Sequence, residues 1–188
     1  DERLVFPVFG APHSFDPDKA SAAVTLGDQV LFTSPEGVLI HNIVTRDYQT
    51  IAKSKSPNWI KHKNVQLIRS GNNIYVLTPN DDGDIVVRVL QTRGQLDETL
   101  FENEESMERQ RVIPGPVHRT WPWDEGIGIV AGNYQVYHLK ATQLAETAED
   151  DLTQSFERDF IAGGTLPDKN IERFHDIAAR DSEIAVTT

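Results

Sequence analysis

The chain contains no cysteine. A disulfide framework, a zinc–thiolate centre and a cysteine nucleophile are therefore excluded, and the redox compartment stays open, because a chain without thiols can serve in either. Positive charge is scarce as well: 18 lysines and arginines stand against 29 aspartates and glutamates, a net charge of −11. A field of that sign repels phosphate backbones and argues against a nucleic-acid partner. The nearest thing to a basic cluster, KSKSPNWIKHK at 53–63, reads as a solvated loop between strands. No apolar run approaches the length of a membrane span, so membrane insertion is not expected. Phosphate loops, dinucleotide fingerprints, nucleophile elbows and metalloprotease helices are missing too. No resident metal or cofactor is expected.

What is present is repetition. The stretch AAVTLGDQVLFTSPEGVLIHNIVTRDYQTI (22–51) is echoed by NVQLIRSGNNIYVLTPNDDGDIVVRVLQTRGQLDETL (64–100). A looser copy is VHRTWPWDEGIGIVAGNYQVYHLKATQ (117–143), and FHDIAARDSEIAVTT (174–188) begins a fourth. Each unit has an apolar run, a polar turn (LGD, SGN, WDEG, RDS), a second run and another turn. Gly27 and Gly71 lie 44 residues apart. The runs are short, rich in Val, Ile and Tyr, and bounded by Gly, Asn, Asp and Pro, which is the signature of strands joined as hairpins. In DIVVRVLQ, both the set Ile85, Val87, Val89 and the set Val86, Leu90 are apolar. Such a strand needs cover on both faces.

Antiparallel sheets repeated at this period, each covered on two faces by its neighbours, predict an all-β chain. From about residue 20 to its end the sequence resembles β-propeller repeats, at the level of architecture. The Gly-His and Trp-Asp signatures of WD repeats and the kelch double glycine are not in their places; Trp123-Asp124 precedes the second strand of its unit. The resemblance implies a β-propeller, or a fragment of one, of three to four antiparallel blades over approximately 20–55, 62–101, 115–143 and 172–188. These form a single domain over 1–188 or the N-terminal part of one. A helical insertion is expected at 142–162, where Leu144, Ala148, Leu152, Phe156 and Phe160 recur every fourth residue before Gly163-Gly164. The ending SEIAVTT has strand composition without a closing turn, and a fragment of a longer propeller is favoured over a ring closed by ERLVFPVF (2–9). Val30, Phe32, Ile74, Val76, Ile127 and Ile129 should occupy equivalent second-strand positions in the core.

The most unusual stretch is PVHRTWPWDEG (116–126), which sets His118, Arg119, Trp121, Trp123 and Asp124 close together. Paired indoles beside an acid suit a peptide groove or a sugar platform. They equally suit packing between blades with Pro122 stiffening a turn, and burial of at least one of the pair is expected. The acidic run DETLFENEESMERQR (97–111) is expected to be a mobile inserted loop; Glu102, Glu104, Glu105 and Glu108 would make it a contact for a basic partner, if it is more than a solvated segment. His13 with Asp16 and Asp18, NDDGD at 80–84, and His175 with Asp176 and Asp181 have no spacing that demands a ligand; each reads as a structural loop, turn or packed residue.

Two functions follow. The first is a non-catalytic interaction or scaffold module, bound to a protein partner or to the remainder of a longer chain. The alternative is a carbohydrate-binding or carbohydrate-active propeller with Trp121 and Trp123 as stacking platform and Asp124 or Glu125 as acid/base.

Overall fold

The computed structural model describes residues 20–51, 55–102, 110–133 and 135–141, together with the backbone of 176–180 and 183–187. It is all-β. The first sheet, A, is a four-stranded antiparallel meander of β1 (Ala22–Leu26), β2 (Gln29–Ser34), β3 (Gly37–Asn42) and β4 (Tyr48–Ile51). Sheet B repeats it with β5 (Gln66–Ser70), β6 (Asn73–Pro79), β7 (Ile85–Gln91) and β8 (Gln110–Ile113). Sheet C has β9 (Val117–Trp123), β10 (Gly126–Ala131) and β11 (Gln135–Lys140), and a hairpin of β12 (Asp176–Arg180) and β13 (Glu183–Thr187) follows.

Sheets A, B and C share one register at their first turn. Leu26 pairs with Gln29, Ser70 with Asn73 and Trp123 with Gly126, each across two turn residues. The first of those residues is left-handed every time: Gly27 at φ 55°, Gly71 at φ 57° and Asp124 at φ 53°. Such turns match the right-handed twist of the flanking strands, and they ask for glycine or a short polar residue. Counting from the turn, Val30, Ile74 and Ile127 are equivalent, as are Phe32, Val76 and Ile129, so the expected register holds.

The sheets stack through their first strands, with β1 beside β5, β5 beside β9 and β9 beside β12. The period of two along each strand then divides the core into layers. Ile74, Val76 and Leu90 face sheet A and join Leu31, Val38, Ile40 and Ile51 in one apolar cluster. Tyr75, Leu77, Val87 and Val89 face sheet C and join Ile127, Ile129, Ala131 and Leu139 in another. Sheet B is covered on both sides, which is why its strands are apolar on both sides.

Several expectations change. Val30 and Phe32 are half-buried, although Ile74, Val76, Ile127 and Ile129 are fully enclosed. They lie on the face of sheet A turned away from sheet B, where no described sheet packs as sheet A packs on Ile74 and Val76. The loop at 53–63 is more than solvated: a 3-10 helix, Asn58–Lys61, sends Ile60 into the core between sheets A and B and leans Trp59 on it. The acidic run is anchored at its start, where a second 3-10 helix, Glu98–Phe101, buries Leu100 and Phe101 in the same core. Asp97 accepts a hydrogen bond from the Thr99 amide and caps that helix. The Gln29 amide grips Leu96 twice, accepting from its N–H at 2.8 Å and donating to its carbonyl at 2.9 Å. The fourth strand of sheet B, β8, takes in Gln110 and Arg111 at the end of the acidic run, so the second unit extends beyond 101 and the run lies within it. Apolar Leu100 and Phe101, hidden among carboxylates in the sequence, decide that packing. The expected helix at 142–162 lies outside the described residues.

Candidate functional site

Sheet C carries the unusual stretch on β9 and in the turn that leads to β10. On β9 the side chains alternate. Trp121 stands opposite Gly128 and Trp123 opposite Gly126, on the face turned away from sheet B, while Thr120 and Pro122 pair with the core residues Ile129 and Ile127. On β11, His138 lies opposite the other side of Gly128 and Lys140 opposite Gly126. The two glycines remove side chains from the central strand, so rings from both flanking strands can meet above it. The Trp123 ring stacks on His138 with centroids 4.3 Å apart and planes 26° apart. Trp121 continues the layer at 6.0 Å from Trp123. A Cβ at Gly128 would fall 2.2 Å from the Trp121 ring, so the indole lies directly on bare backbone.

Burial separates the pair. Trp123 is 6% exposed, whereas Trp121 is half-buried. The Trp121 indole N–H is held away from water with no acceptor. A buried donor left unpaired costs about 1–3 kcal/mol relative to one that finds a partner.

The remaining candidates are dispersed around this layer. Arg119 is exposed on the same strand. His118 occupies a bulge, with Nε2 2.9 Å from the Gly132 carbonyl oxygen, away from the rings. Asp124 sits in the β9–β10 turn and accepts a hydrogen bond from Lys140 at 3.1 Å. That hydrogen bond and charge hold the Asp124 carboxyl below its ordinary range. The pair's contribution is therefore present above that range and is lost as pH falls through the lowered value. The Asp124 carboxylate is exposed and Lys140 partly so, and such pairs at the surface contribute little. Glu102 ends the second 3-10 helix; Glu104, Glu105 and Glu108 lie outside the described residues, as do His13, Asp16, Asp18, His175 and Asp181. The NDDGD stretch is a hairpin turn in which the Asn80 side chain accepts from the amides of Asp82 and Asp84. Among the described residues no three His, Asp or Glu side chains converge as a metal cluster, and no helix is long and apolar enough to cross a membrane.

Sequence reasoning missed His138. Its only sequence signal is a ring at an alternate position of a third strand, which becomes informative once the register across Gly128 is known.

The turn that bears Asp124 is tied to sheet B. Ser70 Oγ donates to the Asp124 carbonyl and Tyr75 Oη to the Glu125 carbonyl, both at 3.3 Å. Burial pushes the Tyr75 phenol up to about 12. A raised folded-state value means that the neutral form is favoured by folding, so the stability it brings is complete below the ordinary tyrosine pKa and is lost as pH rises toward the folded value. Unfolding midpoints measured across alkaline pH should therefore fall more steeply for the native chain than for Tyr75→Phe. Parallel curves would show that the phenol is not buried as described.

Fold and site define an all-β protein of stacked antiparallel sheets with one ring-paved sheet face. No family model, curated protein or solved structure matches the chain.

Proposed function

We propose that this chain is a non-catalytic interaction module of β-propeller type, in which the face of sheet C turned away from sheet B receives a protein segment or a further part of a longer chain. The adjacency of the first strands, β1 to β5 to β9 to β12, supports the propeller reading, since radial blades meet at their inner strands. The observation that carries the functional reading is the ring layer itself. Trp121, Trp123 and His138 form a stiff aromatic surface on a glycine-cleared strand, with one indole N–H lacking an acceptor. Aromatic rings give large contact area at small entropic cost, and a docking segment that shifts the half-buried Trp121 ring would give its N–H the acceptor it lacks. The acidic run with Glu102, Glu104, Glu105 and Glu108 adds a contact for a basic stretch of the same partner. The negative net charge disfavours nucleic acid.

A sugar platform draws less support, because Trp123 has its face on His138 and only Trp121 offers surface. Peptide-display selection on the purified chain separates the two. A recovered peptide should bind the native chain and bind Trp121→Phe about tenfold more weakly, since the ring stays and the donor goes. Oligosaccharide that quenches indole emission, with no peptide recovered, would sink the interaction reading in favour of the carbohydrate one.

A further inference from the structure

Away from the ring layer, on the face of sheet B turned toward sheet A, lies a cation that meets no counter-charge among the described residues. Arg88 of β7 pairs with Val76 on one side and Gln110 on the other. Its guanidinium sits over the Trp59 ring, 5.1 Å from the centroid. Nη1 donates to Thr78 Oγ1 at 3.2 Å and Nη2 to Gln110 Oε1 at 2.6 Å. Both acceptors are neutral, and the third contact is an aromatic face. Burial lowers the Arg88 pKa, with no carboxylate acting against it. A guanidinium has five N–H donors in a planar fork. Taking such a group part-way out of water is costly unless a counter-charge meets it, and here none does among the described residues.

The surroundings narrow the ligand. Val86 and Arg88 alternate to one face of β7, and their partners Val112 and Gln110 stand on the same face of β8. Val112 is 46% exposed, one of the few large apolar side chains in solvent. The cation is thus framed by an aromatic ring and an open apolar flank. A multiply charged anion is disfavoured by the net charge of −11 and by those walls. A single carboxylate carried on an apolar stem fits both. We propose that Arg88, braced by Trp59 and Gln110, is the carboxylate-recognition point of a second docking site, which takes an acidic–apolar segment of a partner protein with the acid on the guanidinium fork and an apolar neighbour against Val112.

The site shares no residue with the ring layer of sheet C, so its failure leaves the reading of that layer intact. The test uses the full chain and two labelled short peptides, one with a central glutamate flanked by leucines and one with glutamine in its place, followed by fluorescence anisotropy. The glutamate peptide should bind about tenfold more tightly, the amount that one charged hydrogen-bonded contact brings. Arg88→Met should abolish that preference, and Arg88→Lys should keep only part of it, because a point charge cannot use the fork. Val112→Asp changes a position that is 46% exposed, should leave the fold intact by circular dichroism and should repel the glutamate peptide; it keeps the question decidable if Arg88→Met folds poorly. Equal binding of the two peptides by the native chain would overturn the site. So would a preference that survives in Arg88→Met or Val112→Asp. Displacement by inorganic phosphate as effective as by unlabelled peptide would overturn the peptide assignment in favour of a small-anion site.

Discussion

Ile74→Ala should cost about 2–5 kcal/mol in denaturant unfolding, because it removes a fully enclosed side chain between two sheets. Ile74 lies in the cluster shared by sheets A and B, with Leu31, Val38 and Ile40 of one sheet and Val76 and Leu90 of the other. Neither sheet can close on the cavity without breaking its own hydrogen-bond ladder, so relaxation is limited. The repeat supplies a built-in comparison. Ile127 is the equivalent residue in sheet C, equally enclosed, and Ile127→Ala should fall in the same range. Val30 is equivalent in sheet A but only half-buried, and Val30→Ala should cost less than about 1.5 kcal/mol. Similar losses at all three positions would mean that the outward face of sheet A is packed as tightly as the inner layers. A loss below about half a kcal/mol at Ile74 would contradict the layering itself.

Gly128→Ala should destabilise sheet C by about 1–3 kcal/mol, although the substitution adds a single methyl group and improves strand propensity. The added Cβ would lie 2.2 Å from the Trp121 ring, far inside contact distance. Trp121 then has to leave its seat, and the stack with Trp123 opens. Indole emission should shift to the red as Trp121 enters water. The cost belongs to the pair: in a Trp121→Ala background, Gly128→Ala should be nearly neutral. A double-mutant cycle isolates that coupling. Additive losses would place the indole elsewhere than on the glycine, and the ring layer would lose its foundation.

How much was legible in advance follows from which interactions are local. The hairpins were readable because a left-handed turn residue and alternation on either side are properties of adjacent positions; LGD and SGN announce their turns by themselves. Two-sided cover of sheet B was readable for the same reason, since DIVVRVLQ is apolar at both parities. The function of PVHRTWPWDEG was not. Its residues separate in three dimensions into a buried Trp123, a half-buried Trp121, an exposed Arg119 and a His118 that serves a backbone carbonyl. The residue that completes the ring layer, His138, comes from another strand. Arg88 gave no signal at all, because the lack of a counter-charge is a property of neighbours that arrive from 58–61, 78 and 110.

The sequence by itself determined the all-β character, the hairpin turns, the matching register at the first turn of three sheets and the sign of the net charge. Each of these rests on spacing along the chain or on summed composition, neither of which needs a fold to be evaluated. Tertiary structure alone decided which equivalent positions are enclosed, which apolar residues of the acidic run join the core, and which rings and charges share a face. Those depend on what one sheet presents to the next. Val30 and Ile74 occupy the same place in their units, yet of the two only Ile74 has a sheet across from it among the described residues.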